Sequence, residues 1–129
     1  MAISAKDFLN TASSCLSEDT ECDYRNAASR AYYSMYHAVS GIQTQTIPHY
    51  SGGGVHHSLV VHLQNSSNGE PYPSMQQKRL AYILRQSKEI RSQADYDIYD
   101  DFQKLKAEDL VNRAENVLKI CEELMEKAA

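Results

Sequence analysis

Asn26-Ala-Ala-Ser-Arg30-Ala-Tyr-Tyr-Ser-Met-Tyr-His37 decides how this chain folds. The stretch reads as helix and carries two separate faces. At ~100° per residue, Tyr24, Ala28, Ala31, Met35, Val39 and Ile42 fall on one side. Asn26, Arg30, Tyr33 and His37 fall on the opposite side, in a narrow stripe. Arg30 and His37 are about two turns apart, so their side chains point the same way. The apolar face accounts for a core. An Arg and a His on the other face require solvent, a partner or a substrate.

Outward from this helix, the same periodicity recurs. Asp23 is positioned to cap it and Gly41 to end it. A first helix is expected from about Ser4 to Leu16, with Phe8, Leu9, Ala12, Cys15 and Leu16 at helical spacing. A short helix is expected over Val55 to Gln64. Ser74 opens a fourth, with Gln77 at capping-box spacing, ending near Arg91. Ser92 to Phe102 is polar, acidic and aromatic, and reads as a loop. The last helix spans about Leu105 to Lys127. The segments Gln43 to Gly54 and Asn65 to Pro73 are rich in Gly, Pro, Asn and Ser and read as loops. No segment alternates with period 2. The expectation is an all-α fold, an antiparallel bundle of four to five helices in a single domain, residues 1–129.

Composition sets the class. The 129 residues are 42% hydrophobic and 23% charged, ordinary for a globular chain. No apolar run approaches the ~18 residues that span a membrane. Met-Ala-Ile-Ser-Ala-Lys at the start lacks the pattern of a secretory signal. Cys15, Cys22 and Cys121 are odd in number and form no CxxC pair, as expected of reduced structural thiols in a cytoplasmic protein. The net charge of -4 argues against indiscriminate coating of nucleic acid. Lys78, Arg79, Arg85, Lys88 and Arg91 form a local basic window, read as a solvated helix face or a basic surface.

Two stretches resemble the HEPN superfamily of small helical domains. Ser29-Arg30-Ala-Tyr-Tyr-Ser-Met-Tyr-His37-Ala38 resembles that family's second-helix signature. Arg91-Ser-Gln-Ala-Asp95-Tyr96, followed by an acidic-aromatic stretch and a long closing helix, resembles its later pattern. The resemblance implies a bundle that usually dimerises. Its enzymatic members are metal-independent RNA endonucleases that use an Arg and, four to six residues on, a His. Here six residues separate Arg30 from His37. Ala38-Val39 stand where some toxin members carry x-Tyr for a partner nucleotidyltransferase.

The resemblance assigns Arg30 and His37 as the catalytic pair. His titrates near neutrality and can act as base or acid. Arg supplies a planar, always-charged fork for a phosphorane. A homodimer would bring two such pairs together. Asn26 and Tyr33 flank them as substrate-binding residues, orienting phosphate or stacking on a base. Partners expected on this reading are a second copy, RNA or nucleotide, and a nucleotidyltransferase or antitoxin, with no membrane and no cofactor. Three functions stand side by side: endoribonuclease of toxin or defence type, non-catalytic nucleotide- or RNA-binding adaptor, and structural dimer. In the bland version Arg30 pairs with an acid of the closing helix, and His37 is an exposed polar residue at a dimer contact.

Other clusters are weaker. His57 and His62 are five apart, about 140° around a helix, and His49 and His56 add no cysteine or carboxylate at ligand spacing, so no metal site is expected. The resemblance puts these histidines at the third helix, with one approaching the interhelical cleft. Ser51-Gly52-Gly53-Gly54 lacks the strand and Lys-Ser/Thr of a phosphate loop and reads as a flexible connection. Tyr32 is expected to be semi-buried.

Overall fold

The computed structural model describes residues 2–129. Five helices follow in order: α1 Ala5–Ser17, α2 Glu21–Gly41, α3 Val55–Gln64, α4 Ser74–Tyr96 and α5 Lys104–Ala128. No strand occurs among the described residues, and no helix is long and apolar enough to cross a membrane. The chain is an all-α bundle, as the periodicity predicts.

α2 is the central element and packs against α1, α4 and α5, while α3 leans on α4. Its core face is lined by Ala27, Ala28, Ala31, Met35 and Val39, each fully buried. The alanines let the neighbouring helices approach closely. Met35, Leu59, Leu63, Leu80, Leu84 and Leu110 fill the space between them. Tyr24, expected on this face, is only half-buried, and its hydroxyl donates to Asp19.

Helix ends differ from the sequence reading in instructive ways. Ser4 caps α1, its backbone N–H donating to Asp7 Oδ2 at 2.7 Å. α2 begins earlier than Asp23, because the Thr20 hydroxyl accepts the Asp23 backbone N–H at 3.2 Å. Ser74 is the first residue of α4 rather than its cap. Gln77 turns inward instead and donates to the Tyr72 carbonyl at 2.9 Å. α4 runs on through Ser92–Tyr96, where a loop was expected. Arg91 and Ala94 face the core there. Arg25 of α2 terminates the helix by donating to the carbonyls of Gln93, Ala94 and Asp97 at 3.0–3.3 Å, and to that of Asp100.

The glycine run is docked rather than free. Gly52 has φ +101°, a left-handed conformation. A Cβ on Gly53 would lie 2.4 Å from His57 Cβ, so the loop lies directly on the first turn of α3. Glu70 fastens its other end. Its carboxylate accepts from Thr44 N and Oγ1, both at 2.7 Å, from Gln45 N at 3.1 Å, and contacts His62 Nε2 at 2.9 Å. Of the thiols, Cys121 is buried, its pKa pushed up to about 12 by desolvation, whereas Cys22 is exposed rather than packed.

Candidate functional site

The stripe on α2 faces outward, as its angular position dictates. Arg30 and His37 are exposed and Tyr33 is half-buried. Phe8 of α1 joins them. Its ring stacks on the His37 imidazole, centroids 5.0 Å apart at 29°, and the Arg30 guanidinium sits 5.9 Å from the same ring. Arg30 is also 5.6 Å from the Tyr33 ring, and Tyr33 is 6.4 Å from His37. The two charged or chargeable groups are therefore held by aromatic faces, which restrain them without occupying their N–H groups. Among the described residues Arg30 has no ion pair, with α5 or elsewhere. Both side chains leave their hydrogen-bonding capacity to solvent or ligand.

Asn26 stands apart. It is exposed one turn from Arg30, and its amide approaches only Cys22 Sγ, at 3.9 Å. The structure thus brings Arg30, Tyr33 and His37 together and leaves Asn26 at the margin.

A second layer comes from α3 and α4. Tyr36 touches both His37, at 5.2 Å, and His56 of α3, at 4.2 Å between ring centroids. His56 is the histidine that reaches the interhelical cleft. Its Nδ1 shares a 2.7 Å hydrogen bond with the hydroxyl of Tyr32, which is fully buried rather than semi-buried. Burial, then the charges of Lys88, Arg91 and His37, lowers the His56 pKa and favours the neutral ring. Desolvation likewise raises the Tyr32 pKa, keeping its hydroxyl protonated.

Arg91 closes the cluster from beneath. It is 7% exposed and lies 5.5 Å and 5.7 Å from the Tyr32 and Tyr33 rings. Its Nη1 donates to Asp95 at 3.3 Å, and the Ser29 hydroxyl donates to the same carboxylate. Of the expected basic window, Lys78, Arg79 and Arg85 are exposed, Lys88 is half-buried and Arg91 belongs to the interior. Phe8, Tyr36, His56 and Arg91 were not assigned to the site from sequence. The quoted Arg91–Tyr96 stretch signalled Arg91, the third-helix histidines signalled His56 and the quoted second-helix stretch contains Tyr36, whereas Phe8 stood only in the apolar stripe of α1. No group of three or more potential metal ligands occurs among the described residues.

Neither the search of curated proteins nor that of solved structures found a match. The family model of the HEPN domain matches residues 3–124, nearly the whole bundle including both quoted stretches. That family includes ribonuclease-type and nucleotidyltransferase-associated members. With the helical bundle and the outward Arg30/His37 stripe in place, this chain belongs to the HEPN domain family.

Proposed function

We propose that this protein is a metal-independent endoribonuclease acting as a homodimer, with Arg30 and His37 of both copies forming one composite site. The observation that carries the reading is the pairing of Arg30 and His37 against Phe8, with neither engaged in an ion pair. A structural role for Arg30 would have paired it with an acid of α5, and no such pair is present among the described residues. Instead two phosphate-competent groups are oriented and left open.

The chemistry needs a base, an acid and charge stabilisation. His37 of one copy, neutral, takes the proton of the ribose 2′-OH as that oxygen attacks the adjacent phosphorus. His37 of the second copy, protonated, gives its proton to the departing 5′-oxygen. The products are a 2′,3′-cyclic phosphate and a 5′-OH, and the two histidines have exchanged roles. Arg30 from each copy stabilises the phosphorane oxygens through its planar fork. Tyr33 offers a face on which a neighbouring base stacks, and Asn26 contacts the strand at the edge of the site.

Incubation of purified protein with labelled mixed-sequence RNA in EDTA, beside His37→Ala, tests this. The expected result is cyclic-phosphate ends from wild type and none from the variant. Cleavage that survives in His37→Ala, or that needs added Mg²⁺, would sink the reading.

The net charge of -4 and the exposed Asp95, Asp97, Asp100 and Asp101 favour a second reading, an adaptor that holds a nucleotide or docks a nucleotidyltransferase. It predicts stabilisation against heat by nucleotide without turnover.

A further inference from the structure

We propose that a cavity beside His37 is a nucleobase subsite, taking one base of the RNA strand out of its stack. The inference rests on the endoribonuclease reading for its ligand, but the cavity itself stands on separate observations.

The cavity holds about 230 Å³ between the end of α2, the 43–54 loop and the start of α3. This is below the roughly 300–1,000 Å³ of pockets for drug-sized ligands, and suits a flat group of one or two rings. Ile47, Pro48, Val55 and Leu59 give it apolar walls. Tyr36 supplies an aromatic surface. The same Tyr36 ring lies 5.2 Å from His37, so the cavity and the Arg30/His37 pair share a wall.

Ser58 supplies the polar signal. It lines the cavity and is only 5% exposed. Its oxygen accepts the Tyr50 backbone N–H at 3.1 Å. No protein group among the described residues accepts its own proton. A buried hydroxyl with an unspent donor is costly unless a ligand or water takes it. A base has a carbonyl or ring-nitrogen acceptor on an otherwise apolar, stackable ring, which matches the Ser58 donor, with Ser40 and His49 as further polar lining, among apolar walls and a tyrosine. The Glu70 clamp on Thr44 and Gln45 tethers the start of the loop whose Ile47, Pro48 and His49 form one wall.

The test is calorimetric titration of the protein with the four nucleoside 5′-monophosphates and with ribose 5-phosphate in EDTA. Val55 is 65% exposed at the rim, so Val55→Trp plugs the mouth without disturbing the core. Wild type should bind nucleotides in a base-dependent order and ribose 5-phosphate at least about tenfold more weakly. Val55→Trp should weaken nucleotide binding about tenfold or more, and Ser58→Ala about fivefold, as loss of one hydrogen bond implies. Equal binding of ribose 5-phosphate and nucleotides, or indifference to both variants, would overturn the subsite. Binding that is sensitive to Val55→Trp in a protein that cleaves no RNA would leave the subsite standing and remove the nuclease. Cleavage that depends on His37 with binding blind to both variants would do the reverse.

Discussion

Phe8 and His37 meet face to face across the α1–α2 interface, 5.0 Å between ring centroids and 29° between planes. The imidazole is exposed, yet its plane is set by a ring from another helix. Orientation of this kind removes conformational freedom that a reacting group would otherwise lose at the transition state. The stack leaves both ring nitrogens free for proton transfer.

On the proposed ribonuclease reading, Phe8 should act on activity more than on stability. Phe8→Ala should cost roughly 1–2 kcal/mol of stability, less than a fully buried Phe, because the ring is only half-buried. RNA cleavage should fall about tenfold or more, mostly in kcat. Phe8→Leu restores apolar contact but not the planar stack, so it should recover melting temperature without recovering rate. Parallel recovery of both would show that the ring serves packing alone.

His56 makes stability depend on pH. Burial first, then the positive charges of Lys88, Arg91 and His37, lowers its pKa in the folded protein. The unfolded chain then binds more protons between that lowered value and the ordinary ~6.5. Stability contributed by the neutral ring is complete above about 6.5, falls as pH drops through the window, and levels off below the folded value. Melting followed from about pH 7.5 to about pH 5.5 should fall more steeply for wild type than for His56→Gln. Identical slopes would mean that the imidazole is solvated in the folded state.

Most of the bundle is legible in the sequence because four helices bury regular apolar stripes. The misread part is the end of α4. Arg91, 7% exposed, occupies a core-facing position that the pattern treats as polar, and Ala94 is the only apolar residue in the turn that follows. The cause lies far along the chain, in the Arg25 clamp on that turn's carbonyls. The same limit applies to the site. Arg30, Tyr33 and His37 share one helix, so their common face follows from periodicity. Phe8 and His56 reach it from α1 and α3, and only the packing of those helices on α2 and α4 sets their distances.

Arg25 is the residue whose charge type matters. Its fork reaches carbonyls of Gln93, Ala94 and Asp97 together, which a compact ammonium cannot do. Arg25→Lys keeps the charge and should still destabilise by roughly 1.5–3 kcal/mol. Amide exchange should accelerate first across Asp97–Asp101. A variant with unchanged exchange there would show that α4 ends without the clamp.

Glu70 links loop order to acid sensitivity. Burial raises its pKa, but the hydrogen bonds from Thr44, His62 and Gln45 together outweigh that and leave it below the usual carboxylate value. Its contribution is present above about 4.5 and is lost as pH falls through the lower folded value. Glu70→Gln keeps the shape and removes the charge that four donors converge on. It should cost roughly 1–3 kcal/mol at neutral pH and flatten the acid limb of the melting curve. Retained stability at neutral pH would mean that the clamp is held by shape rather than charge.

The composite site we propose would make activity depend on association. One chain carries a single Arg30/His37 pair, while the reaction needs an acid and a base at once. Rate per chain should therefore fall on dilution below the dimer dissociation constant. Adding His37→Ala protein in excess should suppress wild type beyond simple dilution, because mixed dimers hold only one of the two histidines. Arg30→Ala should suppress it too, since mixed dimers then lack half of the phosphate clamp. A rate per chain that is constant on dilution and indifferent to either variant would confine the reaction to one chain, where water must supply the second proton transfer.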